Sequence, residues 1–316
     1  MNPRQQASAE YVKQLIEAGP LPRNQVATIS GLTNTYIRDL ERGAIVNAER
    51  GKIIALGLAL NQTLAQLDEM LRLFDRAPLS LDDIPLFLAI AGKSKSSSVL
   101  LPVRNPFSFD LYTIAAIKTP GKHALASYKP TAALQPQGYW LHEHRQRLDE
   151  HAIYGELVEA LGCEMGHKLE TLLKSWPVEQ YVSRHAMEEY LSANQDPERR
   201  KWHVAHVKRL IEYLDRYENL GFNLTHQSSS FLFTLKTATK SSKFKDHLLI
   251  SYPLQPGPKL RNVGLLAGFS TGNSVMIASF HEELGILRSL VDEKLQDRQK
   301  TIDYLEKLIT RSQAGF

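Results

Sequence analysis

The sequence predicts two domains of different class: an all-α domain over residues 1–76, a connecting segment at 77–98, and an α+β domain over 99–316 with a mixed or antiparallel sheet and long helices. Three observations carry this. At 316 residues the chain is too long for one small helical unit. Through the first 75 residues apolar side chains recur three and four apart, the period of helices packed by one face. Beyond residue 98, short β-branched and aromatic runs bounded by turn residues mix with longer helical patterns. Composition is that of a folded protein, 43% hydrophobic and 23% charged, which excludes an extended disordered chain. A single cysteine, Cys163, excludes an intramolecular disulfide framework. No run of 18 apolar residues offers a membrane span, and no apolar leader opens the chain, so no membrane partner and a cytoplasmic location are expected.

Five helices are expected in the first domain. Residues 8–18 carry Tyr11, Leu15 and Ile16 at helical spacing, and Gly19 stops the run. Leu21–Gly43 reads as two short helices joined by a tight turn. Residues 48–60 present Ile53, Ile54, Leu56, Leu58 and Leu60; Gly57 among them costs about 1 kcal/mol relative to Ala, so it marks a close helix contact. Thr63-Leu-Ala-Gln66 is a capping box that opens a last helix through Leu67, Met70, Leu71 and Phe74.

The helix pair at 21–43 is the most informative stretch. Pro22 suits a first helical turn, where its missing N–H is not needed. Val26 and Ile29 share one face, and Ala27 is small enough for a second helix to approach. Gly31 stands where the chain must turn, a place for positive φ. Leu32 fills the angle between the helices, and Thr33 is a natural N-cap. Ile37 and Leu40 anchor the second helix inward, leaving Asn34, Thr35, Tyr36, Arg38 and Asp39 for the other face until Gly43 ends it.

In these residues the segment resembles the helix-turn-helix of the lambda-repressor-like (Cro/XRE) family, with the likeness extending over about residues 5–75. The matching places are Leu21, Val26-Ala27, Gly31, Thr33, Ile37 and the closing Glu41-Arg42-Gly43; the departure is Pro22-Arg23, where the family has Ser-Gln. The resemblance implies a five-helix DNA-binding domain whose second short helix enters the major groove. It implies base-edge contacts from Asn34, Thr35, Arg38 and Asp39, with Arg38 matched to guanine and Asn34 to adenine. It implies DNA backbone contacts from Arg23, Thr33, Tyr36 and Arg42, where Arg23 acts as a charge in place of the family's amide. A sequence-specific transcription regulator, a repressor binding a palindromic operator in double-stranded DNA, is the function so implied. Regulators of this kind with a large second domain use it for sensing or self-association, so a small-molecule effector or protein partner is expected of residues 99–316.

Charge adds a condition. Residues 1–78 hold nine Lys/Arg against eight Asp/Glu. Non-specific DNA affinity comes mainly from cations on phosphates, so a near-neutral reading domain needs two copies on paired half-sites. A homodimer is therefore expected on energetic grounds as well. Residues 93–147 are more basic, eight Lys/Arg against Asp110 and Glu143, and read as an ordinary solvated surface or auxiliary phosphate contacts.

In the second domain, after a short apolar helix or turn at 84–90 and the Ser/Lys stretch 92–98, strands are expected at 99–103 and 111–117, with a turn at 119–121. Helices are expected at 140–173, 177–193 and 197–219, strands at 230–235, 247–252, 263–269 and 275–280, and a final helix at 281–310. On that helix Phe280, Leu284, Leu287 and Val291 give a 4-3-4 stripe that fits either self-association or packing on the sheet.

Four constellations bear on chemistry. Ala91-Gly92 lies where related repressors cut themselves, and Ser127 with Lys129 supplies residue types for that reaction without its surround. His142, His144, His203 and His206, with His151, His167 and His185, have no Cys or Asp cluster at metal spacing; they read as satisfied or surface histidines. Gly268–Asn273 reads as a hairpin loop able to hold an anion, and Lys236–Lys245 as a solvated hairpin loop with four lysines. None pairs a nucleophile or base with an orienting group, so no enzyme activity, metal or cofactor is expected. The alternative is an enzyme or defence-type effector carrying the helical domain as tether or autoregulator.

Overall fold

Apolar periodicity becomes five short helices at the start of the chain: α1 (Pro3–Ala18), α2 (Arg23–Ser30), α3 (Asn34–Glu41), α4 (Arg50–Ala59) and α5 (Leu64–Leu73). The structure is a computed structural model; it describes residues 3–94, 100–103, 106–139, 142, 152–192, 196–239, 245–252 and 267–314. Val12, Val26, Ile37, Ile54, Leu67 and Met70, at least one from each helix, are fully buried in a common core. A Cβ on Gly57 would lie 2.3 Å from Leu67 Cδ2, so this glycine is where α4 and α5 touch. Thr63 and Gln66 form both halves of the capping box.

The connecting segment is held to these helices. Arg50 on α4 donates through Nε to the Ala77 carbonyl at 3.0 Å and through Nη2 to the Pro78 carbonyl at 2.7 Å, while its fork embraces both carboxylate oxygens of Asp83. A short 3₁₀ turn at Leu81–Asp83 leads into α6 (Ile84–Ser94), which packs against α2 and α4. On its other side α6 meets α7 (Pro106–Ile117), where the rings of Phe87 and Phe107 pack edge to face at 5.3 Å. Residues 95–99 of the expected Ser/Lys stretch lie outside the described residues.

The second part of the chain is a mixed sheet flanked by helices. Its strands are β1 (Leu101–Val103), β2 (Lys122–Ala126), β3 (Val178–Ser183), β4 (Leu220–Thr225), β5 (Leu232–Thr237), β6 (His247–Ser251) and β7 (Gly268–Thr271), in the order β1-β7-β6-β5-β2-β3-β4. β2, β3 and β4 run parallel; the remaining pairs are antiparallel. The parallel strands are joined by crossovers through α8 (Ala152–Leu173) and through α9 (Arg184–Tyr190) with α10 (Pro197–Arg216), as parallel pairing requires. Alternation divides the sheet's side chains. Val178, Val182, Leu220 and Leu224 join the large core beneath α7, α8 and α10, whereas Phe233, Leu235, Leu248 and Ile250 pack beneath α11 (Ser274–Ser289). Last comes α12 (Arg298–Ala314), against α10 and β4.

Both edge strands accept hydrogen bonds from outside the sheet. At β4, Asp292 N–H donates to the Leu224 carbonyl and Arg298 Nη2 to the Leu220 carbonyl, each at 2.8 Å. At β1, Asn61 from the end of α4 donates to the Pro102 carbonyl at 3.0 Å. Edge carbonyls so paired are not open to a further strand.

Several elements differ from the sequence expectation, for related reasons. Residues 111–117 are helical, the body of α7; buried on most sides, it lacks a polar stripe and its Tyr, Thr and Ile content imitates a strand. The expected helix at 177–193 is β3 followed by α9, with Ser183 as the N-cap that divides them and accepts from Ala186 N–H. Strands β2 and β4 directly follow the expected turn at 119–121 and the expected helix at 197–219, in stretches for which the sequence predicts no element. Residues 275–280 belong to α11, opened by Asn273, whose Oδ1 accepts from Val275 and Met276 N–H. The final helix at 281–310 is two helices, α11 and α12, parted by a 3₁₀ turn at Glu293–Leu295. Much of the expected helix at 140–173 and of the strand at 263–269 lies outside the described residues.

Candidate nucleic-acid interface

The helix pair α2–α3 turns at Gly31, which has φ +69°, and Leu32 N–H closes the turn on the Ala27 carbonyl at 3.1 Å. Thr33 caps α3 by accepting from Tyr36 N–H at 3.1 Å. Ile37 and Leu40 point into the core. One ion pair fixes the angle between the helices: Arg23, first residue of α2, donates through Nη2 to Glu41, last residue of α3, at 2.9 Å. The Glu41 side chain is only 7% exposed, and its hydrogen bond raises the Arg23 pKa above the ordinary guanidinium value. Arg23, expected on the DNA backbone, is thus engaged with Glu41. That partnership spans eighteen residues and leaves no local signature.

With α3 held from below, most of its outer face stands in solvent. Asn34, Thr35, Arg38 and Arg42 are exposed, and none makes a side-chain hydrogen bond or ion pair among the described residues. Asp39 is half-buried beside them. Tyr36 is half-buried too; Lys52 from α4 lies over its ring at 4.9 Å and pairs with Glu49 at 2.7 Å. Burial raises the Tyr36 pKa, so the ring stays a neutral phenol at ordinary pH. Lys52 escapes sequence reasoning because its approach to α3 is a tertiary contact. The far end of α3 is tied down by Gln5 on α1, whose Nε2 donates to the Gly43 carbonyl at 2.7 Å.

Beside β3 a cluster of buried polar groups is hydrogen-bonded within itself. His206, fully buried on α10, turns Nε2 to the Thr131 carbonyl at 3.0 Å, so that nitrogen carries the proton. Its Nδ1 then accepts from Tyr190 OH at 2.8 Å, and Tyr190 in turn accepts from Tyr139 OH at 3.2 Å. His203 donates from Nδ1 to the Tyr190 carbonyl at 2.7 Å, under a stacked ring. Beside them the Gln180 amide, 1% exposed, accepts from Thr131 N–H and donates to Ser127 Oγ and the Lys129 carbonyl.

These contacts absorb most of the constellations considered above. The Lys129 ammonium lies over the Tyr139 ring, and Ser127 Oγ donates to the Lys129 carbonyl. Ala91 and Gly92 are in α6. His142 faces Glu198 at 3.5 Å, His185 faces Glu189 at 3.3 Å, and His167 is exposed; His144 and His151 lie outside the described residues. Among the described residues no three His, Cys, Asp or Glu side chains are placed to hold a metal. Gly268–Thr271 is strand β7, not a hairpin loop. Lys236 is not solvated either. It sits on β5, 1% exposed, between His123 and His247 on neighbouring strands, and donates to the Lys245 carbonyl, while burial pushes its pKa down. Residues 240–244 of that loop lie outside the described residues. Phe280, Leu284 and Leu287 are buried against the sheet, so the stripe on α11 serves the fold. No described helix is long and apolar enough to cross a membrane.

No family model, curated protein or solved structure matches the chain.

Proposed function

We propose that the chain is a sequence-specific double-stranded-DNA-binding regulator, a repressor that acts as a homodimer through a helix-turn-helix formed by α2 and α3. One observation carries this: α3 presents Asn34, Thr35 and Arg38 outward with no internal partner among the described residues, on a helix fixed beneath by Ile37, Leu40 and the Arg23–Glu41 pair. Asn and Arg are the side chains that pair bidentately with adenine and guanine edges. Such a helix is stable without them, so their hydrogen-bonding capacity is available to a base. Arg42, Thr33 and the Tyr36–Lys52 corner flank the helix where phosphates would run, and Asp39 lies at the edge of the reading face. The near-neutral charge of residues 1–78 favours two readers on a palindromic operator. The sheet domain is assigned the sensing of a small molecule or partner.

The test is selection of sites from a random-sequence duplex library by the purified full chain, followed by footprinting on the enriched site. Enrichment of a palindrome whose half-sites are a helical turn apart is expected. The double variant Asn34→Ala/Arg38→Ala should lose about 4 kcal/mol of discrimination, two bidentate contacts at about 2 kcal/mol each. Undiminished selectivity in that variant, or no enriched sequence at all, would sink the proposal.

A further inference from the structure

We infer that Asp68, Tyr154 and Asn61 are positioning residues that lock the helical domain onto the sheet domain, so that the sheet domain dictates where α3 points. Asp68 on α5 is the centre of the lock. Its Oδ1 accepts from Leu79 N–H at 2.6 Å, on the connecting segment, and its Oδ2 accepts from Tyr154 OH at 2.7 Å, on the first turn of α8. One carboxylate thus gathers the helical domain, the connector and a crossover helix of the sheet. Arg50 clamps the same connector from α4 at Ala77, Pro78 and Asp83. Asn61 forms a second attachment: it has φ +56° just past the end of α4, and its Nδ2 donates to the carbonyl of Pro102 on edge strand β1. A third contact is apolar: Phe87 of α6 is buried completely against Phe107 of α7. Apolar packing runs through one core from Val12 on α1 to Ile309 on α12, so no solvent layer separates the two parts.

The physical consequence is a fixed lever. Two hydrogen-bonded attachments beside the packed α6 remove the tumbling that a flexible connector would allow. A change in β1 or at the start of α8 is passed to α4 and α5, and from them to α3. Resting on the DNA-reading proposal, this makes the spacing between two α3 helices a property of how the sheet domains pair; the lock itself does not depend on DNA.

The experiment measures orientation and uses no DNA, so its outcome is separate from that of the reading proposal. Spin labels are placed on exposed positions of the two parts, Asn24→Cys and Lys174→Cys, in full-length protein carrying Cys163→Ser, and the distance distribution is read by pulsed electron resonance. With the lock intact, and the labelled chain diluted in unlabelled protein so that only intrachain pairs are read, a single narrow peak is expected. In Tyr154→Phe/Asn61→Ala, which leaves the apolar core between the two parts in place, the peak should widen while the far-ultraviolet circular dichroism stays unchanged. Asp68→Asn should give an intermediate width, since its amide keeps one acceptor. A broad distribution without any lock substitution, or a peak that stays narrow in the folded double variant, would overturn the inference.

Discussion

The outer face of α3 and the polar cluster beside β3 use similar side chains to opposite ends. On α3 the amide, hydroxyl and guanidinium groups of Asn34, Thr35 and Arg38 stand in solvent with no side-chain partner among the described residues. Beside β3, Gln180, His206, Tyr190 and Thr131 are buried and answer one another through hydrogen bonds. Burial explains the contrast. A buried group without a partner costs about 1–3 kcal/mol, so sequences that bury polar groups complete their networks. An exposed group loses nothing by waiting on water, and it is the one that can change partners when a ligand arrives. Recognition is therefore sought where hydrogen bonding is unspent, and the fold is explained where it is spent.

Four measurements put that contrast at risk. The largest separation belongs to Asn34→Ala/Arg38→Ala. Beside its loss of DNA discrimination, its stability in urea should stay within about 0.5 kcal/mol of the parent, because exposed residues outside special features contribute little. A fall of several times that size would mean that α3 depends on these groups for its own stability. Two glycines come next. At Gly268 a Cβ would stand 2.0 Å from the Ile250 backbone carbonyl oxygen, which the sheet holds in place. Gly268→Ala should cost about 3 kcal/mol. At Gly57 the obstacle is the tip of the Leu67 side chain, at 2.3 Å. There the overpacking is partly offset by about 1 kcal/mol of helix propensity, and Gly57→Ala should cost about 1 kcal/mol. Equal costs at the two sites would mean that β7 yields as readily as a leucine rotamer. Third, His206→Phe removes two buried hydrogen bonds, one of the two donors to the Thr131 carbonyl, which keeps Leu134 N–H, and the acceptor of the Tyr190 hydroxyl, which keeps Tyr139. A loss of about 2 kcal/mol in denaturant stability is expected, with DNA selectivity intact.

What the sequence discloses divides along the same line. The α2–α3 pair is legible because its determinants are local: Pro22 at the start, Gly31 at the turn, the Thr33 cap, and a stripe of Ile37 and Leu40 against a polar face. A helix with one wet face announces its period. In the sheet domain the elements are enclosed on more than one side and the period vanishes. Thus α7 reads as a strand despite Pro106 at its first position, and β3 as a helix despite the Ser183 cap after it. Asn273 likewise marks the start of α11. Caps survive where periodicity fails, because a cap answers a backbone N–H of its own turn. The outward face of α3 is legible for the same local reason. The lock at Asp68, the Arg23–Glu41 pair and the Lys52–Tyr36 contact are not, since each joins residues far apart in sequence or on different helices.

The smallest effect comes from pH, and it reports on the sheet domain. Tyr181, 4% exposed on β3, is pushed up to about 12 by burial first and then by its hydrogen bond to Glu179, against the lowering influence of Arg288. A raised pKa means that the folded state favours the protonated phenol, so the associated stability is complete below about 10, the unfolded value, and is lost as pH climbs toward 12. Glu179 runs the other way. Burial raises it, but the hydrogen bonds from Arg288 and Tyr181 outweigh burial and leave it below the ordinary carboxylate value. Its contribution is present above about 4 and is lost as pH falls through the lowered value. Asp83 in the connector and Asp292 beside β4 behave likewise: burial raises each, and it is outweighed at Asp83 by the hydrogen bonds from Arg50 and then Ser80, at Asp292 by those from Lys294 N–H and then Arg184. The acid limb therefore belongs to both parts of the molecule. On the alkaline side, the phenol pushed up to about 12 is in the sheet. Comparing Tyr181→Phe with the parent at about pH 9 and about pH 11.5 isolates it. The parent's advantage should shrink by about 1 kcal/mol or less, because Glu179 and Arg288 are partly in solvent. An advantage unchanged between the two values would show that Tyr181 ionises as freely in the folded chain as in the unfolded one, and that the triad of Tyr181, Glu179 and Arg288 is held by packing alone.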